Sequence, residues 1–202
     1  MSTAWPVTID QVLDVHKRLR SLLPPTPLRS YATLDEAVGR GIRVVVKHEN
    51  FQPTGSFKVR NGLSLVSGLS PDARARGLVA ATRGNHGLGV AWAGRRFGTP
   101  VTICNPLGNN PEKNAGMRAL GAHLVEEGKD YDEAVGVADR IVKETGATLA
   151  HSTNDPAVIA TARELAVSGV KAAQEGRCSE AVSELERAEK LHHSQIVLTR
   201  LG

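Results

Sequence analysis

Aromatic residues and long apolar runs are both scarce in this sequence. Aromatics make up 3% of the 202 residues, and the basic residues behind the net charge of +4 are interspersed with acidic ones. Without a basic stripe or a platform of stacking rings, we predict no nucleic-acid partner. No apolar run reaches the ~20 residues of a membrane span, and the N-terminal residues lack the basic and apolar regions of a signal peptide. These absences predict a cytoplasmic protein that makes no membrane contact.

Residues that bind metals are also few and scattered. The two cysteines, Cys104 and Cys178, are too separated for a disulfide framework or a metal cluster. The histidines His151, His192 and His193 lack accompanying carboxylates or cysteines at ligand spacing, which favours surface or cap roles over metal binding. We therefore predict no metal site.

What the sequence does contain is a repeated alternation of strand and helix signals. The predicted strands are the apolar segments 77–82, 101–105, 122–127 and 147–152, and a helical pattern follows each of the first three. This order builds a parallel sheet covered by helices, so the predicted class is α/β. The valine run Arg43–Lys47 predicts an earlier strand that is buried on both faces.

Capping residues indicate where three helices begin. Thr8 and Gln11 form a capping-box pattern ahead of a helix that Pro24 and Pro25 should end. Asp130 with Glu133 repeats the pattern before a helix whose inner face carries Ala134, Val137, Ala138 and Ile141. Asp155 followed by Pro156 predicts a further helix start.

The stretch His48–Gly62, "HENFQPTGSFKVRNG", presents Lys58 directly after a turn. Thr54 or Ser56 is predicted to cap a helix there, with Val59, Leu63 and Val66 facing inward. In the first turn the helix dipole disfavours a positive charge, which favours a neutral amine. Such an amine forms a Schiff base with a carbonyl, and the usual biological carbonyl is pyridoxal phosphate. Taken alone, the pattern is more typical of a solvated lysine near a helix start.

The stretch Thr82–Gly87, "TRGNHG", lies between a predicted strand and a predicted helix. Ligands of open α/β sheets bind beyond the carboxyl ends of the strands. Gly84 lets the backbone approach an anion, the following amides attract it, and Asn85 adds a neutral donor. Because glycine and asparagine are also ordinary turn residues, these residues alone leave both interpretations open.

Together, "ENFQPTGSFKVRNG" and "ATRGNHG" closely resemble the fold type II pyridoxal-phosphate enzymes, and within them the serine/threonine dehydratases. The stretches "PPTPL", "GTPVTICNPLGNNPEKNAGMRALGA", "YDEA" and "NDPAVIA" agree with that family in order. The resemblance covers about Leu23 to Ala160. It implies the architecture of the tryptophan synthase β subunit, with parallel sheets covered by helices.

The resemblance also implies roles for individual residues. Lys58 would hold pyridoxal phosphate covalently and move the substrate's α-proton, and Asn85 would hydrogen-bond the phenolic oxygen of the cofactor. Thr82, Gly84, Asn85 and His86 would line the site for the substrate carboxylate. The implied reaction is dehydration and deamination of serine or threonine to a 2-oxo acid and ammonia.

By the same resemblance, residues 1–62 and 155–202 would form a large cofactor domain and residues 63–154 a small α/β domain. Family members normally carry, after the equivalent of residue 160, a run of glycines that cradles the cofactor phosphate. No such run follows here, so the large domain is predicted to be incomplete and the activity impaired.

The tail after residue 160 has three interpretations. Residues 195–199, "QIVLT", resemble the family's last strand, in which case Thr199 would face the pyridine nitrogen. Residues 172–191 alternatively resemble a single tetratricopeptide-like hairpin, which would need neighbours to bury its apolar face. We favour a plain amphipathic helix pair.

Two functions remain open at the level of sequence. The leading one is the ammonia-lyase, which acts on a small amino acid, and assembly as a homo-oligomer is left open. The alternative is a catalytically inactive remnant that acts, if at all, by binding another protein chain.

Overall fold

A computed structural model describes residues 7–153 and 159–160. The helices are α1 (Ile9–Arg20), α2 (Ala32–Val38), α3 (Lys58–Gly68), α4 (Pro71–Arg76), α5 (Asn85–Phe97), α6 (Pro111–Ala119) and α7 (Tyr131–Thr145). The strands are β1 (Leu28–Ser30), β2 (Val45–Lys47), β3 (Leu78–Ala81), β4 (Val101–Asn105), β5 (His123–Glu126) and β6 (Thr148–Leu149), and a 3-10 turn spans Glu49–Phe51. Among the helices of these residues, none has the length and apolar character of a membrane span.

The centre of the fold is a parallel sheet in the order β5-β4-β3-β6. All four residues of β3 are buried, as expected for a strand with neighbours on both edges and helices on both faces. Ala81 pairs with Cys104, so β3 and β4 end at the same edge. The predicted α/β class and the four strands are confirmed, and the turn after β3 opens at the carboxyl edge of the sheet.

The segment before the sheet differs from the prediction. Val45–Lys47 form a strand, but it is half-buried and pairs antiparallel with Leu28–Ser30 in a two-stranded sheet. The expectation that Arg43–Lys47 is buried on both faces was therefore wrong. The physical reason is that this sheet has two strands, so Val45–Lys47 pair along one edge only, and Lys47 Nζ donates to Thr26 Oγ1 at 2.8 Å in a polar cluster.

The apolar core lies between the sheet and helices α1, α3 and α5, with α7 covering the opposite face. Its largest fully buried apolar side chains include Leu19, Leu63, Leu78, Ile103 and Met117. The predicted inner face of α7 is confirmed, because Ala134, Val137 and Ala138 are buried and Ile141 packs beside them.

Two of the predicted caps are present. Thr8 Oγ1 accepts from Gln11 N at 3.3 Å and Gln11 Oε1 accepts from Thr8 N at 2.7 Å, which completes the capping box. Asp130 Oδ1 accepts from Glu133 N at 3.0 Å. The return bond of Glu133 goes to Lys129 N at 2.9 Å, one residue earlier than predicted, since the Lys129 ammonium also attracts that carboxylate.

Several sequence-based expectations lie outside the described residues. They are the helix start at Asp155, the helical tail, the strand 195–199, Thr199, His192 and His193. The division into domains 1–62 with 155–202 and 63–154 stays a prediction.

Candidate active site

Two glycines bring the predicted lysine and the predicted anion-binding turn together. Helix α3 begins with Lys58 and packs directly on α5, which begins with Asn85. A Cβ added to Gly62 would overlap the carbonyl of Gly89, and one added to Gly89 would overlap the carbonyl of Lys58. The helix backbones therefore touch, and the first turns of α3 and α5 are neighbours.

Lys58 is the first residue of α3, so its predicted place in the first helical turn is confirmed. The side chain is partly buried, and this burial lowers the pKa of the amine below its usual range. Its Nζ donates to the carbonyl oxygen of Ser152 at 3.2 Å and lies 5.1 Å from the ring centroid of Phe57. The environment thus favours the neutral, nucleophilic form more than a solvated site would.

The predicted cap of α3 was wrong. Phe57 occupies the N-cap position with helical backbone angles, and no side chain caps the helix. A side-chain cap requires an extended N-cap residue, so neither Thr54 nor Ser56 reaches the first amides. The hydroxyls of Thr54 and Ser56 are instead buried, without a hydrogen-bond partner in the described part of the chain.

The turn after β3 has the geometry of an anion site. The backbone amide of Gly84 donates to Thr82 Oγ1 at 3.1 Å, which fixes the turn. The bond from Leu88 N to Gly84 O, at 3.2 Å, starts the α-helical ladder. Helix geometry offers the amides of residues 85–87 no acceptor within α5, and the helix dipole adds partial positive charge there.

One nitrogen of the His86 ring bonds the chain just after β6. Its Nε2 lies 2.8 Å from the carbonyl oxygen of Ala150, and because a carbonyl only accepts, Nε2 carries the hydrogen. Burial lowers the pKa of His86 to about 4, against the opposing effect of that hydrogen bond and with help from the Lys58 charge. His86 is therefore neutral at neutral pH, and only its backbone amide points to the predicted carboxylate site as a donor.

The side chain of Asn85 has a partner that the sequence did not indicate. Lys113 Nζ, from the first turn of α6, donates to Asn85 Oδ1 at 2.8 Å. The sequence signal for this contact was the helix start at Asn110, which places Lys113 in the first turn of α6. The side chain of Asn110 accepts from Lys113 N at 3.1 Å.

A buried ion pair supports the segment that leads to Lys58, and it too was missed. Arg60 donates to Glu49 twice, from Nε at 2.7 Å and from Nη2 at 3.0 Å. Thr26 Oγ1 donates to the same carboxylate at 2.6 Å. Burial raises the pKa of Glu49, but the bonds from Arg60 and Thr26 outweigh it and the net shift is downward. The sequence signal for this ion pair was Arg60 itself, a charged residue two positions after the start of a helix that packs against the core.

The predicted site residues can now be placed. Those on one turn of the sheet's carboxyl edge are Thr82, Gly84, Asn85 and His86, and Lys58 begins the helix that packs against that turn. Thr199 is outside the described residues. His151, which was considered as a metal ligand, is exposed, and its Nδ1 accepts from Thr153 N at 3.1 Å, as a local cap would.

The residues present fit an aldehyde-bearing, polar cofactor. Thr54 Oγ1, Ser56 Oγ and His86 Nδ1 are buried polar atoms without a hydrogen-bond partner within residues 7–153 and 159–160. Buried polar atoms are normally paired, so unpaired ones just before α3 and in the first turn of α5 suit a ligand that supplies polar groups. The Lys58 amine, whose pKa is lowered, suits the aldehyde.

Comparisons with known proteins identify the family of this chain. A family model described as "Pyridoxal-phosphate dependent enzyme" matches residues 19–182, which extends past Ala160. The L-threonine ammonia-lyase of Thermotoga maritima is 40% identical over 154 residues, which are 76% of this chain and 38% of that protein. The chain thus spans well under half of that relative.

Solved structures match the fold. Maize serine racemase superposes with a TM-score of 0.79 at 26% identity, over 85% of this chain and 51% of that one. The processed form of threonine deaminase isoform 2 from Solanum lycopersicum superposes with a TM-score of 0.75 at 27% identity, over 83% and 46%. The chain shares their fold type II architecture, and with a family match over most of its length it belongs to the pyridoxal-phosphate-dependent enzymes.

Proposed function

We propose that this chain carries the lysine and the carboxylate-binding turn of a pyridoxal-phosphate-dependent ammonia-lyase that converts threonine or serine to a 2-oxo acid and ammonia. The observation that carries the proposal is the place of Lys58. It is a partly buried amine with a lowered pKa, it starts a helix, and its backbone touches the helix that starts with Asn85.

The choice of a lyase over a racemase comes from sequence similarity. The fold is shared with maize serine racemase at 26% identity, whereas the Thermotoga L-threonine ammonia-lyase is 40% identical. Racemisation and deamination of an amino acid both begin with removal of the α-proton, so the same lysine serves either reaction. The greater similarity to the ammonia-lyase favours loss of the β-hydroxyl as the next event.

When bound, pyridoxal phosphate supplies a carbonyl and an electron-accepting ring. Lys58 Nζ would be the group of this chain that engages the carbonyl, and in this proposal it would also take the proton from the substrate's α-carbon. Burial lowers the pKa of the Lys58 amine, so its unprotonated, proton-accepting form is easier to reach than in a solvated lysine, which suits that proton transfer. Ser152 O, at 3.2 Å, orients the amine before ligand arrives.

The amides at the start of α5 bind the substrate carboxylate in this proposal. Thr82 fixes Gly84, and the amides of residues 85–87 point out of the helix toward an anion. His86 contributes its backbone amide, while its neutral ring ties the turn to Ala150. Asn85 donates its side-chain amide to the phenolic oxygen of the cofactor.

Two further parts of the proposal concern residues beyond these contacts. Thr199 is proposed to face the pyridine nitrogen, and the two-domain division at residues 62 and 154 is kept with it. We also propose that the 202-residue chain by itself is weakly active. Its sequence carries no run of glycines after residue 160 to hold the cofactor phosphate, and each lost bond to a charged group costs about 1.5–3 kcal/mol.

Covalent capture tests the role of Lys58. Pyridoxal phosphate is added, the adduct is reduced with borohydride, and the labelled peptides are mapped. We expect label on Lys58 and none in a Lys58→Ala variant, with Lys143→Ala, an exposed lysine on α7, as the matched control that still labels. Label on Lys47 or Lys113 instead would show that the assignment is wrong.

Product analysis separates the possible reactions. Incubation with L-threonine and L-serine should release 2-oxo acid slowly, and Lys58→Ala should release none. Formation of the D-enantiomer without 2-oxo acid would identify a racemase. Full cofactor occupancy with rapid turnover by the isolated chain would refute weak activity, and no binding or turnover would favour the inactive, protein-binding alternative.

A further inference from the structure

Lys113 occupies a defined place beside the predicted cofactor-binding asparagine. Its Nζ donates to Asn85 Oδ1 at 2.8 Å. A Cβ added to Gly84 would lie 3.9 Å from Lys113 Cγ, which is ordinary van der Waals contact. Lys113 is half-buried, and none of the described carboxylates forms an ion pair with it. Among the described residues, the Lys113 ammonium therefore has the Asn85 amide oxygen as its partner and no carboxylate that competes for it.

The chemistry of this contact determines which end of the amide is available. A lysine ammonium has hydrogen-bond donors and no acceptor, so it binds the oxygen of an amide and never the nitrogen. With Oδ1 held by Lys113, the Nδ2 group of Asn85 is the end left for a ligand. The phenolic oxygen of pyridoxal phosphate can accept a hydrogen bond from that donor.

We propose that Lys113 is a positioning residue. It fixes the side-chain amide of Asn85 so that Nδ2 is the end available to the phenolic oxygen of the cofactor. This inference rests on the proposed function and extends it to a residue that the turn itself does not contain. Lys113 acts through Asn85, and its own contact with the ligand is not part of the proposal.

The start of α6 holds Lys113 in place for this task. Asn110 Oδ1 caps the amide of Lys113 at 3.1 Å. The next residue, Asn114, is buried, accepts from Asn105 Nδ2 at 2.8 Å and donates to Glu126 Oε2 at 3.0 Å. These bonds tie the first turn of α6 to the ends of β4 and β5, so the Lys113 stem projects from a fixed backbone.

The test compares Lys113→Met, which keeps the length of the side chain and removes the donor, with Lys113→Arg, which keeps a donor-only cation. Lys143→Met serves as the control on an exposed helix. Side-chain amide signals of Asn85 are followed by NMR in the protein without ligand. The dissociation constant for pyridoxal phosphate is then measured by absorbance titration.

We expect Lys113→Met to shift the Asn85 side-chain signals and to weaken pyridoxal phosphate binding about tenfold. Lys113→Arg should keep Asn85 signals and an affinity close to those of the wild type, and Lys143→Met should match the wild type. Unchanged Asn85 signals, or shifted signals with unchanged affinity, would overturn the inference. A wild-type chain that takes up no pyridoxal phosphate would overturn the proposed function instead, which is a distinguishable result.

Discussion

The parallel sheet and the segment that leads to Lys58 are stabilised by different forces. All four β3 side chains are buried and apolar, and the stabilisation comes from packing among many core residues. The segment 45–57 has a half-buried strand and is organised around the Glu49–Arg60 ion pair. Apolar packing is spread over many residues, whereas a buried ion pair depends on both partners. We therefore expect the sheet to tolerate substitution better than the segment that leads to Lys58.

Removal of one partner of the ion pair should have the largest effect. Arg60→Met removes the closest cation from the partly buried Glu49 carboxylate and leaves it Lys47 Nζ at 3.9 Å, which should lower the free energy of unfolding by about 3 kcal/mol. Arg140→Met, which breaks the exposed pair with Glu127, should cause no measurable change. Chemical denaturation of both variants makes the comparison, and equal effects would show that the two pairs do not differ in kind.

An alanine at the helix crossing should come next in size. Gly89→Ala places a methyl group against the carbonyl of Lys58, and such overpacking costs about 1–3 kcal/mol. Gly136→Ala on α7 has open space around the new methyl group and should be neutral or slightly stabilising. Thermal unfolding distinguishes the two, and borohydride labelling of Lys58 should also slow in Gly89→Ala alone. Tolerance of both substitutions would contradict the close crossing.

The ion pair should also have a pH signature. The folded pKa of Glu49 is lowered from 4.5, so the carboxylate contributes stability above that pH and loses it as the pH falls through the folded pKa. In Arg60→Met, the effect of burial, which raises the pKa of Glu49, is no longer opposed by the Arg60 hydrogen bonds and charge. The variant therefore loses less stability than the wild type when the carboxylate is protonated at low pH. The difference in unfolding free energy between wild type and Arg60→Met should therefore shrink below pH 4.5. A difference that stays constant from neutral pH to pH 3 would exclude this origin.

The smallest effect is expected at a hydroxyl that sequence reasoning had treated as a cap. Ser56 Oγ is buried and has no hydrogen-bond partner in the described part of the chain, so Ser56→Ala should leave stability unchanged or raise it slightly. Asp130→Ala removes a real cap from α7 and should cost about 1 kcal/mol. Loss of that size in Ser56→Ala would restore the capping role.

Sequence patterns predicted the sheet better than the site. The strands 77–82 and 101–105 carry continuous apolar runs between turn residues, and the structure places β3 and β4 within them. Contacts such as Lys113 with Asn85 or Lys58 with Ser152 join residues 28 and 94 positions apart. They depend on how elements pack, and no local pattern encodes that. The resemblance in two motifs supplied the roles of the site residues, and those roles stay predictions.

The backbone contact between Gly62 and Gly89 sets how well the site can keep its dimensions. Side chains exchange rotamers on fast timescales, so a spacing that depends on them is blurred by motion. Here the spacing between the start of α3 and the start of α5 is set by the radius of a carbonyl oxygen against an α-carbon. Lys58 and the turn Thr82–Gly87, the proposed base and the proposed carboxylate site, are thus held at a spacing that the backbones of two helices set.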